Sequence, residues 1–199
     1  MIGIIQKVLL DLLQETGGAS LVTDVLKRAE VPEDVTFRID QNYSDEEFHR
    51  LLQASGQATG LPESELCALY ARAFLARARE LFPRFFEMSS SSEEFLLRQA
   101  TIHAVMASGL KTSEDRKAVT DKFSAEQVRP GFIRVSYRSA NKLCELYKAL
   151  AHEVAFLYGE KLQITCEHCM KRGDAECRFA INWQTPRSVT PAGLTVTPV

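Results

Sequence analysis

The stretch from Tyr137 to Cys177, YRSANKLCELYKALAHEVAFLYGEKLQITCEHCMKRGDAEC, decides how the chain folds. It carries four of the five cysteines, and its middle repeats apolar residues at helical spacing. Leu143, Leu146, Tyr147, Leu150, Val154 and Leu157 fall on one face, which predicts a helix over 141–158, and Gly159 ends it. The texture on either side is β. Upstream, DKFSAEQV and FIRVSYRS flank Arg129-Pro130-Gly131, where proline and glycine punctuate a turn, so a hairpin is predicted. Downstream, 161–166 and 177–183 are short alternating or apolar runs. Four strands with a helix between the hairpins make an α+β module.

Working back towards the first residue, the pattern becomes helical. Ile2, Ile5, Val8, Leu9, Leu12 and Leu13 predict an amphipathic helix over 2–15 that stops at Gly17 and Gly18, with a second short helix over 19–29 before Pro32. Ser44 followed by Glu47 is a capping-box pattern, and Phe48, Leu51, Leu52 and Ser55 continue its helix to Gly60. Pro62 opens a helix over 63–81 with Leu66, Leu69, Tyr70, Phe74 and Leu75 around it. After the aromatic pair Phe85-Phe86 and a serine run, 92–109 is predicted as one helix. It carries His103 on a face with Leu96, Ala100, Ala107 and Leu110, so the imidazole points into apolar space. Such a histidine is either a satisfied core residue or a ligand. Residues 111–122 are charged and read as a loop or a frayed helix. One domain over 1–183 is expected, and 184–199, with three prolines and little to bury, is expected to be a flexible tail.

Composition excludes several classes. With 199 residues, 45% hydrophobic, the chain can form one ordinary core. A formal net charge of −2, with cations scattered among acids, gives no basic stripe for nucleic acid. Gln6, Lys7 and Asp11 interrupt the first apolar run too early for a signal peptide, and no run reaches the roughly 18 apolar residues of a membrane span. A cytoplasmic protein with no membrane partner is expected. There is no GxSxG, phosphate loop or paired-carboxylate motif, so the chain reads as a non-enzyme.

The cysteines carry the most legible chemistry. Cys166 and Cys169 form a CxxC pair, and Cys177 follows across the turn-forming Lys171, Arg172, Gly173 and Asp174. The pair then ends one strand and the third thiol begins its neighbour. Antiparallel strands about 5 Å apart can bring all three to one ion. Structural zinc requires a fourth ligand, for which Cys144 is the candidate, with His168 and water as alternatives. The competing reading is free thiols or one reversible disulfide. Zinc thiolates oxidise, so bound zinc would also make this a redox sensor. Cys67, inside the predicted 63–81 helix, reads as a small core hydrophobe.

Taken together, Met1-x-Gly3-x-Ile5, the helix bearing His103 after LFPRFFEMS, and Tyr137-x-Ser139 followed by CMKRGDAECRF resemble the haem nitric oxide/oxygen-binding (H-NOX) domains of bacteria. The resemblance spans about residues 1–183. It implies a fold in which an N-terminal helical bundle packs on a four-stranded antiparallel sheet with an intervening helix, enclosing haem b (iron protoporphyrin IX). It implies His103 as the proximal iron ligand, and Tyr137 and Ser139 as anchors of the propionates. The family motif is Tyr-x-Ser-x-Arg, and Asn141 stands at the arginine position. Asparagine hydrogen-bonds a carboxylate without neutralising it, which implies weaker haem retention unless Arg138 or Arg134 compensates. The segment after His103 also lacks the family's tyrosine-proline pattern. Ile5, Leu9, Phe74 and Leu146 are the expected distal wall, with Tyr147 one residue from the decisive position. An apolar wall favours nitric oxide over oxygen. The implied role is a nitric oxide sensor that signals to a partner such as a histidine kinase or a cyclic-dinucleotide enzyme. Two alternatives stand beside it. One is a haem-free zinc-thiolate redox sensor on the same fold. The other is a small-molecule module of the vinyl-reductase-like type.

Overall fold

In a computed structural model of the chain, residues 2–39, 41–110, 112–120 and 122–184 are described. Helix α1, Ile4–Arg28, buries Ile4, Val8, Leu9 and Leu13 on its inner face. The paired glycines do not end it. The backbone leaves helical geometry at Gly18 (φ 69°, ψ −170°), a conformation only glycine adopts cheaply, and then resumes, so the two predicted helices are the arms of one kinked element. Helix α2, Asp45–Thr59, starts where Ser44 Oγ accepts from the amides of Glu46 and Glu47 at 3.1 and 3.4 Å. The capping box is only half made: the Ser44 hydroxyl donates to the Glu46 carboxylate, and Glu47 Oε1 is buried without a partner. Helix α3, Glu63–Leu81, matches its prediction at both ends, and its Tyr70 hydroxyl donates to the Ile5 carbonyl at 3.0 Å, tying α3 to α1.

The predicted helix over 92–109 is two helices. After α4, Pro83–Glu87, come α5, Ser92–Leu97, and α6, Gln99–Ser108, separated at Arg98 (φ −84°, ψ 0°). Arg98 donates its guanidinium to Ser89 Oγ at 2.8 Å and shares its amide between the Glu94 and Phe95 carbonyls, which tightens the turn and re-aims the chain. Helix α7, Ser113–Thr120, occupies the charged segment that follows.

Strands β1, Phe123–Arg129, and β2, Phe132–Tyr137, form the predicted hairpin around Gly131 (φ 76°). Strands β3, Leu162–His168, and β4, Cys177–Trp183, complete an antiparallel sheet of order β1-β2-β4-β3. Helix α8, Cys144–Leu157, begins three residues later than predicted, since Lys142 has φ 46° and Asn141 is held by Tyr137 in the preceding turn. Period-two alternation points Ile133, Val135 and Tyr137 inward with Phe179 and Ile181, against Tyr147 and Val154 of α8. A second apolar cluster, around Leu9, Phe48 and Tyr70, holds α1 to α3 together. Phe74, Met106 and Leu150 pack against both clusters.

Helix α5 fixes how α6 faces the sheet. Buried Ser92 meets Glu160 Oε2 with both its hydroxyl (2.5 Å) and its amide (3.0 Å), and Trp183 Nε1 donates to Ser92 Oγ at 2.7 Å. The Glu93 carboxylate accepts from the Gly131 amide and from Gln127 Nε2. The turn after α8, the end of β4 and the hairpin tip are thus all bound to one short helix. Among the described residues no helix is long and apolar enough to cross a membrane. The expected tail lies outside the described residues beyond Gln184.

Candidate functional site

Between the two clusters lies a cavity in which about 210 Å³ is open to the centre of a water molecule. Helix α6 supplies His103 to it, α1 supplies Ile5, α3 Phe74, and α8 Leu146 and Tyr147. Tyr137 and Asn141 reach it from the end of β2 and the turn beyond. His103 Nδ1 is buried with no hydrogen-bond partner, and Phe123 packs edge-on to the ring at 4.7 Å. Burial, seconded by the positive charge of Lys122, pushes the imidazole down to about 4, so it is neutral at pH 7 and keeps a lone pair to offer. Gln99 Oε1, one turn before His103, and the Tyr147 hydroxyl also line the cavity, buried and unpartnered. Such groups are rare in an interior unless something else uses them.

The predicted residues separate on inspection. His103, Tyr137, Asn141, Ile5, Phe74 and Leu146 all line the cavity. Leu9 does not: it is fully buried within the α1–α3 cluster. Ser139 is buried in the turn between Tyr137 and Asn141, its Oγ unpartnered, but it is not among the lining residues. The Tyr137 hydroxyl donates to Asn141 Oδ1 and accepts from the Leu143 amide at 3.4 Å. The arginines expected to compensate for Asn141 are committed elsewhere. Arg138 pairs with Glu176 at 2.6 Å, and Arg134 lies over the Phe132 ring and 3.6 Å from Glu167. Gln99, Lys122 and Phe123 are among the lining residues that carried no signal in the sequence as cavity groups. Tyr147 lines the cavity beside Leu146, because the start of α8 turns both inward; its ring stacks on Phe179 at 4.6 Å.

That hydroxyl has a testable cost. Tyr147→Phe removes a buried, unsatisfied group and keeps the stacked ring, so the ligand-free protein should gain about 1 kcal/mol in urea unfolding. A loss of stability would show that the hydroxyl has a partner.

A second site is built from thiols. Cys144, at the start of α8, Cys169, after β3, and Cys177, at the start of β4, place their sulfurs within 4.8 Å of one another, all buried. Cys144 and Cys169 are 3.7 Å apart. Cys166 is not brought into this trio. It points inward from β3, but a register shift between Cys166 and His168 turns its Sγ to the His168 carbonyl at 3.0 Å. Burial pushes the Cys144 thiol up to about 12 and that of Cys166, with Cys169 beside it, up to about 11. Burial also acts to raise Cys169. There the amides of Lys171 and Arg172 and the thiols of Cys144 and Cys177 outweigh it and hold the thiol below its ordinary value. His168, the alternative ligand, lies 3.7 Å from Asp174 instead. Cys67 is a buried core residue whose thiol burial pushes up to about 12.

Residues 2–166 match the profile of a family described as Haem-NO-binding. The chain belongs to this family. Its members are haem-based gas sensors, and the fold of this haem-NO-binding domain is that of solved H-NOX proteins. An H-NOX protein from S. oneidensis, in its Fe(II)NO ligation state, superposes with a TM-score of 0.76 at 20% identity, over 93% of this chain and 100% of that one. A point mutant of the T. tengcongensis H-NOX gives 0.77 at 19% identity, over 94% and 100%. An Fe(II) unliganded mutant from K. algicida gives 0.75 at 21%, over 93% and 97%. No curated protein sequence matches the chain.

The cavity of this haem-NO-binding domain suits the family's cofactor. A flat, largely apolar tetrapyrrole asks for apolar walls, one neutral imidazole and polar groups at the carboxylate edge. Ile5, Phe74, Leu146 and Phe123 meet the first need, and His103, with no competing partner at Nδ1, meets the second. Tyr137 and Asn141 meet the third, though neither carries a charge.

Proposed function

We propose that the chain is a haem-based nitric oxide sensor in which His103 holds the iron. The observation that supports this best is a neutral imidazole, buried and unpartnered at Nδ1, facing an apolar cavity. A bound ferrous haem supplies an iron centre that takes up nitric oxide without needing a hydrogen-bond donor. Ile5, Phe74 and Leu146 exclude water from the ligand side, and Tyr137, Ser139 and Asn141 hold the propionate edge. Helix α6 carries His103, and α5 before it is fastened to the hairpin and to the end of α8. A displacement of His103 is therefore passed to the sheet, where a cytoplasmic partner such as a histidine kinase or a cyclic-dinucleotide enzyme reads it. Cys144, Cys169 and Cys177, with Cys166 as the fourth thiol, hold a structural zinc that clamps α8 to β3 and β4.

One spectrum tests the sensor. After haem reconstitution, the purified protein should show a Soret band that shifts when nitric oxide is added. A colourless protein would leave the second reading, a haem-free zinc-thiolate redox sensor on the same fold. The lowered Cys169 thiol favours that alternative.

A further inference from the structure

Apart from neutral His103, a single ionisable side chain with charge at pH 7 lines the cavity among the described residues: Lys122. Its ammonium lies 3.2 Å from Asp45 Oδ2, and the two side chains are only 17% and 25% exposed. Burial acts to raise the Asp45 carboxyl, but the positive charges beside it, Lys122 first among them, together outweigh burial and hold it below its ordinary value, so Asp45 is a carboxylate. The sheet register decides where Lys122 stands. Phe123 is opposite Tyr137, and the Lys122 carbonyl accepts from the Arg138 amide at 2.8 Å. Lys122 is thereby fastened across from the Tyr137-x-Ser139 turn. The two side chains of that turn that line the cavity, the Tyr137 hydroxyl and the Asn141 amide, are both uncharged, and Arg138 between them is paired with Glu176. An ammonium beside a hydroxyl and an amide forms a receptor for a carboxylate. An ammonium also acts as a point charge that tolerates approach from several directions, unlike a guanidinium fork.

We propose that Lys122 is the cation that anchors a carboxylate of the tetrapyrrole taken by this cavity, at the edge that Asn141 leaves neutral. This rests on the haem assignment above. Lys122 is then shared between the cofactor and Asp45, in the first turn of α2, so the carboxylate edge also touches the helical half of the molecule.

The test compares iron protoporphyrin IX with its dimethyl ester, which has no ionisable carboxylate. Each is loaded into the wild type, Lys122→Met, which keeps the apolar stem, and Lys122→Arg. Loss to excess apomyoglobin is then timed. A charge-assisted bond corresponds to roughly ten- to hundredfold faster loss of the free-acid haem from Lys122→Met. Lys122→Arg should stay near the wild type, and the ester should leave wild type and Lys122→Met at the same rate. Urea midpoints of the haem-free proteins separate this from misfolding. Equal free-acid rates in wild type and Lys122→Met overturn the anchor, as does the same acceleration with the ester, which would mean only a loosened wall. A wild type that takes up neither compound overturns the haem assignment itself, a pattern distinct from both.

Discussion

His103→Ala should cost the protein its stably held haem, with retention weaker by at least about tenfold, since even lost outer-shell partners of metal ligands cost about 10–100-fold. The tyrosines and amides of the lining cannot replace the imidazole at neutral pH. A tyrosine ligates iron as the phenolate, and burial pushes Tyr137 up to about 12 and raises Tyr147 as well, so both stay protonated. Gln99 and Asn141 offer only amides. The reconstituted variant should show a weakened, displaced Soret band that no longer follows the wild-type course with nitric oxide. An unchanged spectrum would remove His103 as ligand. The haem-free protein provides an independent readout. His103 is lowered from 6.5 to about 4, so between those values the unfolded chain binds a proton that the folded chain refuses. Its contribution is therefore complete above pH 6.5 and disappears as pH falls towards 4, a loss of about 3 kcal/mol. Urea unfolding at a series of pH values should show this slope in the wild type and lack it in His103→Ala.

Cys169→Ser should have the largest effect on the cysteine cluster. Cys169 is the thiol that its surroundings hold low, next to Cys144 and within reach of Cys177, so it is the most ready to give up its proton to a metal. A serine hydroxyl does not ionise in that range. Structural zinc contributes roughly 10–16 kcal/mol in small peptides, against about 5–15 kcal/mol for the stability of a whole domain. Losing the metal should therefore loosen α8 from β3 and β4 well before the helical half unfolds. Metal analysis should find zinc in the wild type and little in Cys169→Ser, with the smaller loss in Cys166→Ser, whose sulfur lies outside the trio. A Cys169→Ser protein that keeps its full zinc would dismiss the cluster as a metal site.

What the sequence made legible follows the range of each interaction. Helix α3 was readable at both ends because Pro62, the apolar period and the Phe82-Pro83 break are local signals. The hairpin was readable from Pro130 and Gly131 for the same reason. Gly17-Gly18 was ambiguous, since a glycine pair either stops a helix or kinks it, and the choice was made by packing against α2 and α3. The break at Arg98 depends on Ser89, nine residues away, and leaves no mark on the period. Spacing gathered Cys166, Cys169 and Cys177 and offered Cys144 as the fourth, but the turning of Cys166 away from the other three accompanies a register shift that spacing does not encode. Leu9 and Ile5 share a helical face in the sequence, and only the tertiary structure shows that Ile5 reaches the cavity and Leu9 does not. Lys122 was invisible for a related reason: a lysine at the start of a strand looks like a solvated charge until the strand opposite is known.

The bond between Trp183 and Ser92 has an optical consequence. Trp183 is the one tryptophan in the chain, and its indole is pinned at 2.7 Å to the first residue of α5, whose Phe95 and Leu96 line the cavity. Indole emission overlaps the strong near-ultraviolet absorption of a metalloporphyrin. The molecule thus contains its own donor for resonance energy transfer at a fixed station beside the acceptor's berth, and a dim or bright protein reports a filled or empty one without any added dye.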